Sequence, residues 1–188
     1  HSVVFFPMLV GPIEAAGHKV VLRESNNGWS EAKYISEGLP ARLRDARADW
    51  VVFELGANNW KMDPTVYAAD VKTLVQAAKD GGASRVIWMS PPVAVRADVA
   101  QRHEATSEMQ KKLFPDLGVE WIDTRPFMNT GHSGDGVHFG SAQYKVWAAN
   151  VIKPILSPPI MHGAMPWFLV VSALVLAGAV ALRFRHER

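Results

Sequence analysis

Asp135 and His138 stand three residues apart in the glycine-rich stretch Ser133-Gly134-Asp135-Gly136-Val137-His138. An aspartate at that spacing can hold an imidazole in one tautomer and stabilise its charged form, which makes His138 a candidate general base and Asp135 its orienting partner. Upstream, Gly56-Ala57-Asn58-Asn59 closes an apolar run, and Gly28 sits within Ser25-Asn26-Asn27-Gly28-Trp29-Ser30. A side-chain amide after a tight glycine turn, and a backbone N–H at a glycine, are both donors that a developing oxyanion needs. Asn58 and Gly28 are the candidates for that role, with Asn59 holding the turn. The missing part is a nucleophile. The chain has no Cys, so thiol chemistry is excluded, and the part that would complete a serine esterase is a serine hydroxyl. Ser2 is the candidate within the chain, while Ser25 and Ser30 read as polar loop residues. Trp29 and Trp60 each directly follow an oxyanion segment, and indole faces suit sugar rings; a packing role for both is equally open. His132, Asp135 and His138 share a three-residue spacing that would align metal ligands on a helix, but Gly131, Gly134, Gly136 and Gly140 argue against a helix there. Neither a metal nor an organic cofactor is expected.

These residues need a frame, and the chain supplies an alternation of strand-like and helix-like segments. Residues 3–16, 31–47 (broken near Gly38-Leu39-Pro40), 64–79, 97–114 and 141–155 carry helical patterns, the 97–114 segment with a polar face. Residues 19–24, 50–55, 85–90 and 119–122 read as strands. The run 50–55 is almost continuously apolar, as expected when both faces of a sheet are covered. Regular strand–helix alternation predicts a doubly wound α/β fold with a parallel sheet. In such sheets, chemistry gathers at the carboxyl ends of the strands, where the Gly28, Asn58 and His138 loops all fall.

Charge is distributed unevenly. Of 20 Lys+Arg and 18 Asp+Glu, Arg183, Arg185, Arg188 and Glu187 lie at the C-terminus, so the preceding part is balanced. No basic stripe with interleaved aromatics marks a nucleic-acid surface. Residues 166–182 carry no charge, begin Pro166-Trp167 and end at the arginine cluster. At about 17 residues the segment sits at the short end for a membrane-spanning helix. It is expected to hold the chain in a lipid bilayer, with 157–165 as linker and 183–188 as a basic cytoplasmic tail, the globular part facing outward. The membrane is that of a cell or of a virus.

The order Gly28, Gly56-Ala57-Asn58-Asn59, Asp135-Gly136-Val137-His138 resembles the SGNH hydrolases, the GDSL esterase/lipase superfamily, over residues 1–156. Asn59 stands where that family usually has Asp. The resemblance implies a flavodoxin-like sheet of order 2-1-3-4-5, a Ser-His-Asp ester hydrolysis, and oxyanion donors at Gly28 and Asn58. It also implies a Gly-Asp-Ser block after a first strand. The chain opens at His1-Ser2-Val3, so the expectation is a shortened start with the nucleophile just before His1, or else Ser2 itself. The expected activity is that of a membrane-anchored esterase acting on O-acetyl groups of envelope carbohydrate, with lipid or lysophospholipid esters second. The alternative is a catalytically inactive, membrane-anchored binding or structural module of an envelope or virion on the same fold.

Overall fold

Among the described residues, three strands form one parallel sheet in sequence order: β1 (Trp50–Glu54), β2 (Arg85–Met89) and β3 (Glu120–Ile122). The computed structural model describes residues 2–59 and 63–158, without the side chains of residues 2 and 3. Phe53 pairs with Trp88 across β1–β2, and Trp88 with Trp121 across β2–β3. Parallel neighbours need long crossovers, here the helices α4 (Pro64–Asp80) and α5 (Ala97–Leu117). The Asp63 carboxylate starts α4 by accepting the Thr65 N–H at 2.7 Å, and Pro64 occupies its first turn. Gly118, left-handed at φ 60°, ends α5.

Side chains alternate across a strand, so each strand feeds two layers. Phe53, Val86 and Trp88 meet Tyr34 of α2 (Glu31–Ser36), Leu43 of α3 (Leu39–Ala46), Leu74 of α4 and Phe114 of α5. Val52, Ile87 and Met89 meet Phe5 and Leu9 of α1 (Ser2–Ala15) and Trp147 and Val151 of α6 (Ser141–Leu156). Phe5 stacks on Trp147 with ring centres 4.3 Å apart. Burying each such large side chain contributes on the order of 2–3 kcal/mol. Helices cover both faces of this parallel sheet, the α/β layering that the alternation predicts, but among the described residues the strands run in sequence order and the expected order 2-1-3-4-5 is not seen.

At the amino end of β2, buried Arg85 donates to both Glu120 carboxylate oxygens (2.6 and 2.7 Å) and to the carbonyls of Ile155 (2.6 Å) and Pro154 (3.0 Å). The far end of α6 is thereby fixed to the sheet, while its first turn follows the His138 loop directly.

Residues 19–24 are not a strand. Among the described residues no backbone neighbour pairs with them, and β1 forms its ladder with β2 alone. Side chains hold this stretch instead: the His18 ring lies 4.6 Å from that of Trp50, Leu22 packs on the core, and Glu24 accepts two hydrogen bonds from Arg42. The polar face expected on 97–114 is also partly turned inward, since His103, Thr106, Ser107 and Gln110 are buried. Trp60 and the apolar segment 166–182, with the tail 183–188 and nearly all of the linker, lie outside the described residues. Among the described residues no helix is long and apolar enough to cross a membrane.

Candidate active site

The loop between β3 and α6 folds back on itself. His132 and Phe139 form an antiparallel bridge, Ser133 N–H donates to the His138 carbonyl at 2.7 Å, and Gly136 turns the chain at φ 67°. This turn brings Asp135 Oδ2 to 2.5 Å from His138 Nδ1. The other oxygen, Oδ1, accepts the N–H groups of Val137 and His138 (both 2.9 Å) and the Ser133 hydroxyl (2.8 Å). The hydrogen bond from His138, then those from the two backbone N–H groups and Ser133, hold the Asp135 carboxyl well below the usual carboxylate range. An ionised Asp135 only accepts, so the neutral imidazole carries its proton on Nδ1 and leaves Nε2 as the basic nitrogen. His132, the third member of the sequence trio, instead places Nε2 2.9 Å from the Val93 carbonyl.

The carbonyl of Gly136 accepts the N–H groups of Val95 (2.9 Å) and Arg96 (3.2 Å). The segment after β2 therefore carries the His138 loop. On the neighbouring strand, β1 runs into Gly56 at φ 117°, a conformation that side chains rarely adopt. A Cβ there would stand 2.8 Å from both Thr106 Cγ2 and Gln110 Nε2, so space and backbone angle both demand glycine. The turn that follows presents Asn58, whose Nδ2 donates to the Trp29 carbonyl at 3.1 Å. One amide hydrogen thus ties the Asn58 turn to the Gly28 loop, and the second remains for another acceptor. Gly28 sits at φ 73° in an exposed turn, and its N–H makes no hydrogen bond among the described residues.

One cleft of about 450 Å³ joins these pieces: Gly28, Trp29, Asn58, Asp135 and His138 all line it. The geometry thus brings together five residues singled out from the sequence. Trp29 lines the cleft and also packs edge-on against Tyr34, with Lys33 Nζ 5.5 Å from its ring centre. No serine lines the cleft among the described residues. Ser30 caps α2, Ser90 is buried against Thr124, and Ser133 is engaged by Asp135. The Ser2 side chain lies outside the described residues, as does Trp60.

Sequence reasoning missed several lining residues, among them Glu54, Arg96, Val99, Val137 and His103. Glu54 is a buried carboxyl at the end of β1, and Glu31, fully buried in the first turn of α2, lies beside it. Burial pushes the Glu31 carboxyl up to about 7, with Asp70 adding to the rise; its own backbone N–H and the Asn59 amide pull the other way. Burial and the proximity of Glu31 push Glu54 to about 7 as well. Asn59, where the resembled family usually has Asp, therefore lies beside the buried Glu31 carboxyl, and an Asp there would add a further carboxylate to a buried cluster.

A carboxyl whose folded pKa lies above its unfolded 4.5 contributes fully below that value, and its contribution is lost as pH rises through about 7. Glu31→Gln removes this dependence. Urea unfolding at pH 5 and pH 8 is expected to show the variant gaining on the wild type at pH 8, by on the order of 3 kcal/mol at most. Parallel stabilities at the two pH values would show that Glu31 is not held neutral.

Comparison with known proteins follows the same outline. The GDSL-like lipase/acylhydrolase family model matches residues 12–146. The acetylxylan esterase of Geobacillus stearothermophilus superposes with a TM-score of 0.68 at 16% identity, over 82% of this chain and 81% of that one. The aryl esterase of M. smegmatis gives 0.61 at 17% identity, over 78% and 83%. A carbohydrate acetylesterase from Sinorhizobium meliloti gives 0.54 at 19% identity, over 64% and 66%. At such identities the likeness is one of fold. No curated protein matches the chain in sequence.

Proposed function

Because the chain belongs to the GDSL-like lipase/acylhydrolase family, we propose that it is a serine esterase whose cleft cleaves acyl esters with His138 as general base. The observation that carries this reading is the opening of the Asp135–His138 pair into the same cleft as Gly28 and Asn58. The serine hydroxyl attacks the ester carbonyl as its proton passes to His138 Nε2, and the carbonyl oxygen becomes an oxyanion. The Gly28 N–H and the second Asn58 amide hydrogen hold that charge. Collapse returns the proton to the leaving alkoxide and leaves an acyl-serine. Water, deprotonated by the same imidazole, then releases the acid and restores the serine. Ser2, at the first turn of α1, is the candidate nucleophile in this sequence.

The substrate class proposed is an O-acetylated carbohydrate. Two similar folds belong to an acetylxylan esterase and a carbohydrate acetylesterase, and Trp29 lines the cleft with the polar side chains of Asn26 and Asn27 beside it. Residues 166–182 are proposed as a membrane anchor that leaves the catalytic domain outside the cytoplasm, on the strength of their uninterrupted apolar character and the arginines that follow.

Fluorophosphonate labelling of the full-length protein, followed by peptide mass mapping, tests the reading. The expected label is on one serine, and it disappears in His138→Ala. A folded protein that takes no label would instead favour the non-catalytic binding module.

A further inference from the structure

The inward polar stripe of α5 takes no part in the hydrolysis steps. His103, Thr106, Ser107 and Gln110 are all buried, at positions where a helix packed on a sheet ordinarily places aliphatic side chains. Their spacing puts them on one face, a turn apart. The stripe meets the chain just after β1. Gln110 Nε2 donates to Leu55 O at 3.1 Å and Thr106 Oγ1 to Gly56 O at 3.5 Å, while His103 lines the same cleft as Ala57 and lies beside its backbone. The next residue is Asn58.

Gln110 is itself fixed on both sides: its amide also donates to the Tyr67 hydroxyl at 2.9 Å, and its oxygen accepts from Trp121 Nε1 at 3.3 Å. His103 reaches further. Its Nδ1 lies 2.8 Å from the Pro92 carbonyl, so Nδ1 carries the proton, and burial lowers the ring's pKa and keeps it neutral. Pro92 begins the segment whose Val95 and Arg96 N–H groups hold Gly136 in the His138 loop. One buried imidazole is thus bonded to the segment that carries the base and lines the cleft together with the oxyanion turn.

We propose that His103 is a positioning residue that sets the Gly56–Asn58 turn against the His138 loop, with Thr106 and Gln110 fixing the two preceding peptides. The inference rests on the esterase reading. Its catalytic value is registry: a displacement of about 1 Å between oxyanion donors and base can cost about 10²-fold in rate.

The test is steady-state hydrolysis of p-nitrophenyl acetate by the full-length protein. His103→Leu is expected to lower kcat about 10–10²-fold and to leave KM within about twofold. His103→Gln, whose amide can still donate to the Pro92 carbonyl, recovers most of that loss. In an Asn58→Ala background, His103→Leu costs little more, because the donor it positions is already gone. A purely structural His103 would instead give losses that multiply in the double variant, or a Gln variant no better than the Leu variant, and either result overturns the proposal. Should His103→Leu fail to fold, His103→Gln and Thr106→Val carry the test: each keeps KM and loses part of kcat in the wild-type background but not in Asn58→Ala. Wild-type turnover with unaffected His103 variants overturns this inference alone. A wild-type protein that neither turns over esters nor takes the fluorophosphonate overturns the esterase reading with it.

Discussion

His138→Ala is expected to lower kcat for ester hydrolysis by about 10²–10⁴-fold, with the fold intact. The imidazole is half-exposed and lines the cleft, and with Nδ1 committed to Asp135 its Nε2 is the nitrogen that would accept the serine proton. Its removal takes away the proton acceptor of both halves of the reaction. The bland alternative is that His138 merely packs the loop. That loop, however, is shaped by backbone: the Ser133 N–H to His138 carbonyl bond, the Gly136 turn, and the Gly136 carbonyl accepting from Val95 and Arg96. None of these needs an imidazole. Stability is therefore expected to change by less than about 0.5 kcal/mol, so lost activity will not reflect unfolding. Asp135→Asn gives the companion result. An asparagine amide in place of Oδ2 can donate to Nδ1, which moves the ring proton to Nε2 and removes the base without displacing the ring. Activity of either variant near that of wild type, measured on ester turnover and on fluorophosphonate labelling, would take His138 out of the mechanism.

The part of this site that could be read from the sequence is the part built from local chain. Asp135 and His138 are three residues apart, and the contacts that join them are made within one turn, so their spacing and glycine neighbours carry the signal. The same holds for the Gly56–Asn58 turn, which the apolar run of β1 points to. Long-range partners were not legible. Glu54 reads as an isolated acid in a strand, and only the packing of α2 against β1 reveals that Glu31 lies beside it. The stripe 103, 106, 107 and 110 has helical periodicity, but polar periodicity ordinarily marks the solvent side. Here the sheet edge offers carbonyls rather than apolar surface, so the polar face turns inward. Residues 19–24 show the opposite limit: a β-rich composition predicts an extended chain, and a strand also needs a backbone neighbour, which composition does not supply.

Asn58→Ala is the second large effect, expected at about 10²–10³-fold in kcat, and its interpretation turns on the two hydrogens of one amide. One reaches the Trp29 carbonyl at 3.1 Å. If tethering that loop were the whole role, alanine would loosen Gly28 and Trp29, and the loss would fall mainly on KM. An oxyanion donor behaves differently, because the charge it meets exists only in the transition state and kcat takes the loss. Phosphonylation separates the two further. The phosphoryl oxygen of a fluorophosphonate occupies the oxyanion position, so its inactivation rate is expected to fall in parallel with kcat. Asn58→Asp sharpens the comparison, since a carboxylate can neither donate to the Trp29 carbonyl nor accept a neighbouring negative charge, and it should be at least as impaired as alanine. Near-normal kcat with raised KM in Asn58→Ala would assign the amide to the tether alone and leave the Gly28 N–H as the donor to examine next.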